Sequence, residues 1–209
     1  MTSYESPELD QGEADRLRAQ VKAHLRKQAR AIRSQLPAES RHKRALAITQ
    51  RLLASAPFSQ ASSLAAFVTI RSEVDTRQII DQAYDQGKRV ALPRVCFDTD
   101  ELSLHWVHKD EPLNENRWDI PEPAPNAPEV SPEELDLILV PGLAADERGH
   151  RIGYGRGFYD RLLSRYPNSQ SCFLGYDFQL VAEVPIVESD HPVDWIITDS
   201  RALECPAKF

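Results

Sequence analysis

Two nearby segments of this 209-residue chain are the most informative about its fold. They are Leu135-Asp-Leu-Ile-Leu-Val-Pro-Gly142 and Arg151-Ile-Gly-Tyr-Gly-Arg-Gly-Phe-Tyr-Asp-Arg161. The first segment is an apolar run of strand length that ends at a proline and a glycine, which is typical of a strand buried within a sheet. The second segment alternates glycine with other residues and leads into a helical pattern from Phe158 to about Tyr166. A buried strand, a glycine-rich turn and a helix in this order indicate an α/β domain.

Two amphipathic helices are expected before these segments. Apolar residues recur at helical spacing over residues 14–34 and again over residues 39–54. Pro37 separates the two helices, and Pro57 is expected to end the second one.

A β-α-β unit follows these helices. Apolar runs at 63–69 and 89–93 have the length of strands, and a helical segment that ends near Gly87 lies between them. Asp75 is expected to cap this helix, with Gln78 in the capping-box position. Consecutive strands joined by a helix favour parallel pairing.

The rest of the chain completes the α/β pattern. Residues 102–107 alternate apolar and polar side chains and predict a more exposed strand, and a proline-rich excursion follows at 111–132. Strands are then expected at 171–175 and at 195–198, the latter as the last strand. The predicted fold is a three-layer, Rossmann-like α/β domain with a mainly parallel sheet flanked by helices.

Composition limits the possible functions. The formal net charge of -7 argues against a general nucleic-acid binder, and no apolar run approaches the length of a membrane span. Three scattered cysteines and a polar start without an apolar signal core favour a cytoplasmic location. We expect a flexible acidic tail at 1–13 and a single domain at 14–209, acting as a monomer.

The glycine-rich loop is the first candidate site. Gly153, Gly155 and Gly157 would let backbone N–H groups turn toward an anion at the start of the following helix, and neighbouring arginines would add charge. By spacing alone, a tight strand-to-helix turn with exposed arginines explains the same pattern slightly better, because the loop is neither a dinucleotide fingerprint nor a P-loop.

Five ordered segments resemble the 5-formyltetrahydrofolate cyclo-ligase family. They cover nearly all of residues 22–200: the strand and glycine loop quoted above, Lys22-x-x-Leu25-Arg26, the segment 67–76 with Glu73-Val-Asp-Thr76, Ile120-Pro-Glu-Pro123, and 179–185 with the later Asp190. The family's loop often has glycine where this chain has Arg156, so this loop is either stiffer or uses Arg156 on phosphate.

The resemblance implies a reaction and its substrates. ATP would phosphorylate the formyl oxygen of 5-formyltetrahydrofolate, and ring closure with loss of phosphate would give 5,10-methenyltetrahydrofolate, with Mg²⁺ as cofactor. The partners would be these small molecules, with neither nucleic acid nor a membrane involved. Such chemistry requires positioning and charge neutralisation and needs no nucleophilic side chain.

The resemblance also implies which residues form the site. The residues expected to bind ATP are Lys22, Arg26, Arg151, Gly153, Tyr154, Gly155, Arg156, Gly157, Phe158 and Tyr159. Those expected to bind the folate are Val68, Glu73, Tyr154, Gly155, Arg156, Gly157 and Phe158. Asp160 and Asp190 are expected to hold Mg²⁺.

Simpler interpretations of these residues remain open at this level. Without the resemblance, Asp160 and Asp190 are surface or capping carboxylates, and Glu73 is equally well a loop acid beside the helix cap. Arg30 and Arg33 continue the stripe of Lys22 and Arg26, where a solvated basic face is the favoured interpretation. Tyr154 and Phe158 pack on the pterin or close the loop on the core.

Two other functions stay open: a folate- or nucleotide-binding module without turnover, and an enzyme like the sugar-phosphate isomerases or CoA-transferases.

Overall fold

A seven-stranded sheet forms the centre of the computed structural model, which describes residues 10–206. The strands, in chain order, are β1 Ser63–Ala65, β2 Arg89–Cys96, β3 Glu101–Val107, β4 Asn114–Glu115, β5 Pro121–Glu122, β6 Leu137–Val140, β7 Ala144–Ala145, β8 Arg151–Ile152, β9 Gln170–Leu174, β10 Trp195–Ile197 and β11 Ala202–Glu204. The helices are α1 Gln11–Gln35, α2 Ala38–Leu53, α3 Ala56–Gln60, α4 Arg77–Asp85 and α5 Phe158–Arg165. In this part of the chain no helix is both long and apolar enough to cross a membrane.

The central sheet is mainly parallel, as predicted. Its strand order is β11-β10-β9-β6-β1-β2-β3. The five inner strands pair in parallel, while β3 and β11 pair antiparallel to their neighbours at the two edges. The two short pairs β4–β5 and β7–β8 stand apart as antiparallel ribbons.

Two cores on opposite faces of the sheet produce the three layers. Successive residues of a strand point to opposite faces. On β6, Leu137 and Leu139 accordingly belong to the core under α2, α3 and α4, while Ile138 and Val140 belong to the core under α5. An uninterrupted apolar strand is thus explained by burial on both faces.

Helix α1 packs outside the sheet, against the β7–β8 ribbon. Leu25 and Ala29 of α1 contact a small apolar cluster that includes Leu143, Ala144 and Ile152. The helix begins at Gln11 and not at the predicted position 14, because Asp10 accepts a hydrogen bond from the Glu13 N–H at 3.0 Å and caps it. The rest of the expected tail, residues 1–9, lies outside the described residues.

Three local predictions were wrong. Thr76, not Asp75, is the N-cap of α4, and Asp75 instead accepts a hydrogen bond from the Arg77 N–H at 3.1 Å, so no capping box with Gln78 forms. Strand β10 is not the last one, because β11 returns antiparallel to it; three residues are too few to reveal a period. Pro57 does not end α2 but lies in the first turn of α3, where its missing N–H is tolerated.

The topology creates a crevice between β1 and β6. The chain continues from β1 through β2 to one edge of the sheet, and from β6 through β9 to the other edge. Ligands of open α/β sheets bind outside the carboxyl ends of the strands at such a switch point. The loop that carries Glu73 follows β1, and Gly142 follows β6, so both lie beside this crevice.

Candidate active site

Glu73 lies buried at the switch point and is joined to the glycine loop. Its side chain accepts hydrogen bonds from the Tyr154 hydroxyl at 2.6 Å and from the Ile70 N–H at 3.0 Å. The residue is 6% exposed and is a buried acid of the loop after β1. The segments expected to bind folate and ATP are therefore in direct contact through Tyr154.

Arg33 completes this network, which contradicts the interpretation of Arg33 as part of a solvated face. It is 3% exposed and donates to the Tyr154 hydroxyl, to Ser72 Oγ at 3.1 Å and to the Gly142 carbonyl at 3.1 Å. Residues after both β1 and β6 are thus held by one guanidinium of α1. A buried cation needs such partners, and only the tertiary structure supplies them.

Burial and charge perturb both acids of the network. Burial raises the pKa of Glu73, and the hydrogen bonds from Tyr154 and Ile70 and the charge of Arg33 oppose that rise. Burial, and then the neighbouring Glu73, raise the pKa of Tyr154 to about 12. The Tyr154 hydroxyl therefore keeps its proton near neutral pH and donates it in the hydrogen bond to Glu73.

Helix α1 lies along the glycine loop through two further arginines. Arg26 Nε donates to the Gly153 carbonyl at 3.1 Å, and a Cβ atom on Gly155 would meet the Arg26 guanidinium at 3.5 Å. Arg30 is exposed, as expected of a solvated residue, and its guanidinium lies 5.3 Å from the centre of the Tyr154 ring. Helix α1 therefore contacts the glycine loop at Gly153, Tyr154 and Gly155.

The loop requires glycine at two positions. Gly155 has φ 104° and Gly157 has φ 66°, which are conformations that other residues rarely adopt. Gly157 is the N-cap of α5 and has no side chain to satisfy the first N–H groups of that helix. Those donors are available to an anion.

Arg156 and Phe158 point to a different side of the loop. Arg156 Nη1 lies 3.0 Å from Asp100 Oδ1, and its guanidinium lies 4.9 Å from the Trp118 ring centre. The Phe158 and Trp118 rings are 6.5 Å apart. The structure therefore brings Arg156 and Phe158 together with Trp118 of the proline-rich excursion.

The two acids expected to hold metal each pair with an expected ATP ligand. Arg151 Nη2 lies 3.1 Å from Asp160 Oδ1, and Lys22 forms an ion pair with Asp190. The His191 N–H donates to Asp160 at 3.2 Å, which brings the segment after Asp190 against Asp160. Burial lowers the pKa of Arg151, and the charges of Asp160 and then Asp190 oppose that decrease. Lys22, Arg151, Asp160 and Asp190 therefore share one region.

The two carboxylates fit a Mg²⁺ ion only if phosphate supplies further ligands. Within residues 10–206 no group of three or more His, Cys, Asp or Glu side chains is arranged to hold a metal. Mg²⁺ is commonly bound by one or two carboxylates together with substrate phosphates. Asp160 and Asp190 match that donor set, with Lys22 and Arg151 as their present counterions.

Tyr159 and Val68 both pack against the core. Tyr159 packs against both main cores, and burial, together with the nearby Glu73, raises the pKa of its hydroxyl. Val68 is half-buried and packs against the core under α2, α3 and α4.

Gln179 also contributes to the site. From the sequence it had no role of its own and was included only in the segment 179–185, which resembles the family. Its buried amide donates to the carbonyls of Gly142 at 3.0 Å and Leu143 at 2.9 Å. It thereby orients the turn after β6, whose Gly142 carbonyl also receives Arg33. Gly142 and Gly175 both approach the Phe173 ring too closely for a Cβ atom.

Comparisons with known proteins identify the family of this chain. The model of the 5-formyltetrahydrofolate cyclo-ligase family matches residues 18–199. The 5-formyltetrahydrofolate cyclo-ligase of Escherichia coli K12 is 35% identical over 74% of this chain and 87% of that protein. The mouse protein of the same name is 30% identical over 87% of this chain and 91% of its own length.

Solved structures show the same fold. The 5,10-methenyltetrahydrofolate synthetase of Aquifex aeolicus superposes with a TM-score of 0.80 at 31% identity, over 90% of this chain and 95% of that one. The Mycoplasma pneumoniae synthetase, at 23% identity and a TM-score of 0.67, supports the fold alone. The chain described here belongs to the 5-formyltetrahydrofolate cyclo-ligase family.

Proposed function

We propose that this chain converts 5-formyltetrahydrofolate to 5,10-methenyltetrahydrofolate with the hydrolysis of ATP to ADP and phosphate. The observation that carries the proposal is the buried contact between Glu73 and Tyr154, which joins the loop after β1 to the glycine loop that α1 grips through Arg26. Membership in a family of cyclo-ligases supports the same reaction.

The reaction needs two substrates held close together. The γ-phosphoryl group of ATP is transferred to the formyl oxygen, which turns a poor leaving group into phosphate. The bridging nitrogen of the folate then bonds to the formyl carbon and loses its proton, and the carbon–oxygen bond breaks to release phosphate. The protein accelerates both steps by positioning the substrates and by neutralising negative charge.

The Glu73 side of the crevice suits the pterin. The ionised carboxylate accepts hydrogen bonds, and the amino-pyrimidine edge of a pterin donates them. Val68 offers an apolar wall on the same strand-to-helix loop. Tyr154 borders this subsite, with its hydroxyl on Glu73 and its ring beside Arg30.

The opposite side suits the phosphates. Lys22, Arg26 and Arg151 supply positive charge, and the N-terminus of α5 after Gly157 supplies N–H donors. Asp160 and Asp190 would hold Mg²⁺ together with phosphate oxygens. The ion would supply charge that stabilises the transferred phosphoryl group.

The test is turnover of the purified protein with 5-formyltetrahydrofolate, ATP and Mg²⁺, followed by the absorbance of the methenyl product. We expect one ADP and one phosphate per product, and no product when ATP is omitted or the metal is chelated. Binding of both substrates without any product would support the alternative of a binding module. Product formation at the full rate without nucleotide would exclude the cyclo-ligase reaction.

A further inference from the structure

A cationic pocket of about 490 Å³ lies on the outer side of Tyr154. We call it the arginine pocket. The lining residues that matter here are Arg30, Arg33, Arg41, Arg71, Ser72 and Tyr154. None of them except Tyr154 was expected to take part in the site.

The arginines of the pocket form no direct ion pair within the described chain. Four of the lining residues are arginines, and no carboxylate lines the pocket. Among residues 10–206 none of these four guanidiniums has a carboxylate oxygen within 4.0 Å, whereas many other arginines, such as Arg44 and Arg201, do. Four like charges around one cavity repel each other and favour a bound anion.

Arg33 is held in place by hydrogen bonds, and Arg71 lies on a strained backbone. Arg33 is 3% exposed and each of its three guanidinium nitrogens donates a hydrogen bond to the protein, so it forms the fixed floor of the pocket. Arg71 has φ 54°, a left-handed conformation that is strained for a residue with a Cβ atom. Strain of this kind persists where the surrounding structure requires a particular placement, and it often marks a ligand site.

The pocket adjoins the proposed pterin subsite. Arg71 and Ser72 directly precede Glu73 in the loop after β1, and Tyr154 lines the pocket while it donates to Glu73. The charges of Arg33 and Arg71 oppose the effect of burial on the pKa of Glu73, so both guanidiniums lie near that carboxyl. A molecule that reaches from Glu73 across Tyr154 therefore enters the pocket.

We propose that the arginine pocket binds the carboxylates at the glutamate end of the reduced folate. The proposal rests on the proposed function, which places the pterin at Glu73. A folate carries its hydrogen-bonding pterin at one end and two carboxylates on the glutamate at the other end. Guanidinium groups match carboxylates in charge and in planar geometry. Arg41 and Arg71 provide the contacts at the pocket mouth, and Arg33 sets its base.

The test compares 5-formyltetrahydrofolate with an analogue in which a neutral amide replaces the glutamate. Equilibrium affinities for both compounds and for ATP are measured, without turnover, on the wild type and on Arg41→Gln and Arg71→Gln. Arg77→Gln is the matched control, because Arg77 is highly exposed and pairs with Asp75 outside the pocket. We expect each pocket variant to lose about tenfold in affinity for the folate, since bonds to charged groups are of this strength. Affinities for the neutral analogue and for ATP should not change.

Three results would overturn the proposal. An equal loss for the folate and the neutral analogue would mean that the arginines act only by holding the Glu73 loop. A loss confined to ATP would assign the pocket to phosphate. Unchanged affinities in both variants would leave the pocket without a role in folate binding. Turnover of the wild type is assayed separately, so that failure of the proposed function is distinguished from failure of the pocket.

Discussion

Glu73 shows how one buried carboxyl group couples folding to ligand binding. The folded chain places it where water is largely excluded, and that burial raises its pKa above the value of 4.5 for an exposed glutamate. The folded protein therefore binds a proton at Glu73 more tightly than the unfolded chain does. The same carboxyl is available to accept hydrogen bonds from a ligand when it is ionised.

This perturbation predicts a pH dependence of stability. As pH rises above about 4.5, Glu73 loses its proton in the unfolded chain before it does so in the folded protein. The contribution of Glu73 to the free energy of unfolding therefore falls until the pH passes its raised pKa in the folded protein. Glu73→Gln removes this titration, and the stability of the variant relative to wild type should rise across that interval. Each pKa unit of difference between the two states corresponds to about 1.4 kcal/mol. Urea unfolding at a series of pH values measures the effect.

A control separates this effect from general acid sensitivity. Glu133→Gln changes an exposed glutamate and should follow the wild type at every pH. If Glu73→Gln runs parallel to wild type between pH 4.5 and neutrality, the raised pKa of Glu73 is wrong.

At the scale of elements, the β7–β8 ribbon positions Arg151 and depends on one buried acid. Asp146 is fully buried and accepts from the N–H groups of Arg148 and His150 at 3.1 Å each and of Val184 at 2.9 Å. It closes the turn of the ribbon and attaches the chain near Val184 to it. The apolar contacts of α1 on the ribbon depend on that arrangement.

Asp146→Ala should therefore destabilise the protein strongly. It leaves three N–H donors without their acceptor, of which that of Val184 is buried and the other two are part-buried, and an unsatisfied buried donor costs about 1–3 kcal/mol without simple additivity. We expect a total loss of about 3 kcal/mol and a fall in Tm of about 6–12 °C. Thermal unfolding followed by circular dichroism measures the change.

The neighbouring Glu147 provides the matched control. Its side chain is 67% exposed and pairs with Arg201 at 3.2 Å, and such surface pairs contribute about 1 kcal/mol or less. Glu147→Ala should unfold close to the wild-type temperature. Equal effects of the two alanine variants would contradict the structural role of Asp146.

At the scale of the whole molecule, the site is assembled from segments far apart in the chain. Helix α1 contributes Lys22, Arg26 and Arg33, the loop after β1 contributes Glu73, and the glycine loop contributes Tyr154. A ligand that contacts several of these segments binds only the folded state. Its binding energy therefore adds to the free energy of unfolding.

Saturating 5-formyltetrahydrofolate should raise the Tm of the protein. At about 100 times its dissociation constant a ligand adds about 2.7 kcal/mol to stability, which corresponds to about 5–10 °C for a chain of this size. Differential scanning fluorimetry with increasing folate measures the shift. Arg77→Gln should show the full shift because Arg77 lies outside the site. A Tm that does not depend on folate concentration would contradict binding at the assembled site.

Local patterns in the sequence were sufficient for most of the fold. The apolar run of β6 and the helical start at Phe158 were expected where the structure has them, because burial on both sheet faces and helical periodicity leave direct traces in residue order. The cap of α4 and the existence of β11 were not, because shifts of one residue and strands of three residues lie within the uncertainty of such patterns. The expectation of a monomer in the cytoplasm stays a prediction.

The α/β class, the glycine loop and the family follow from residue type and order along the chain. Which charges meet depends on how the chain folds. Arg30 and Arg33 have the same residue type on the same helix, yet Arg30 is exposed while Arg33 is buried against Tyr154 and Gly142. The difference arises because the carboxyl ends of β1 and β6 converge on one side of α1. A charge is buried where the fold brings partners that can compensate it, and those partners lie 39 to 121 residues away in the chain.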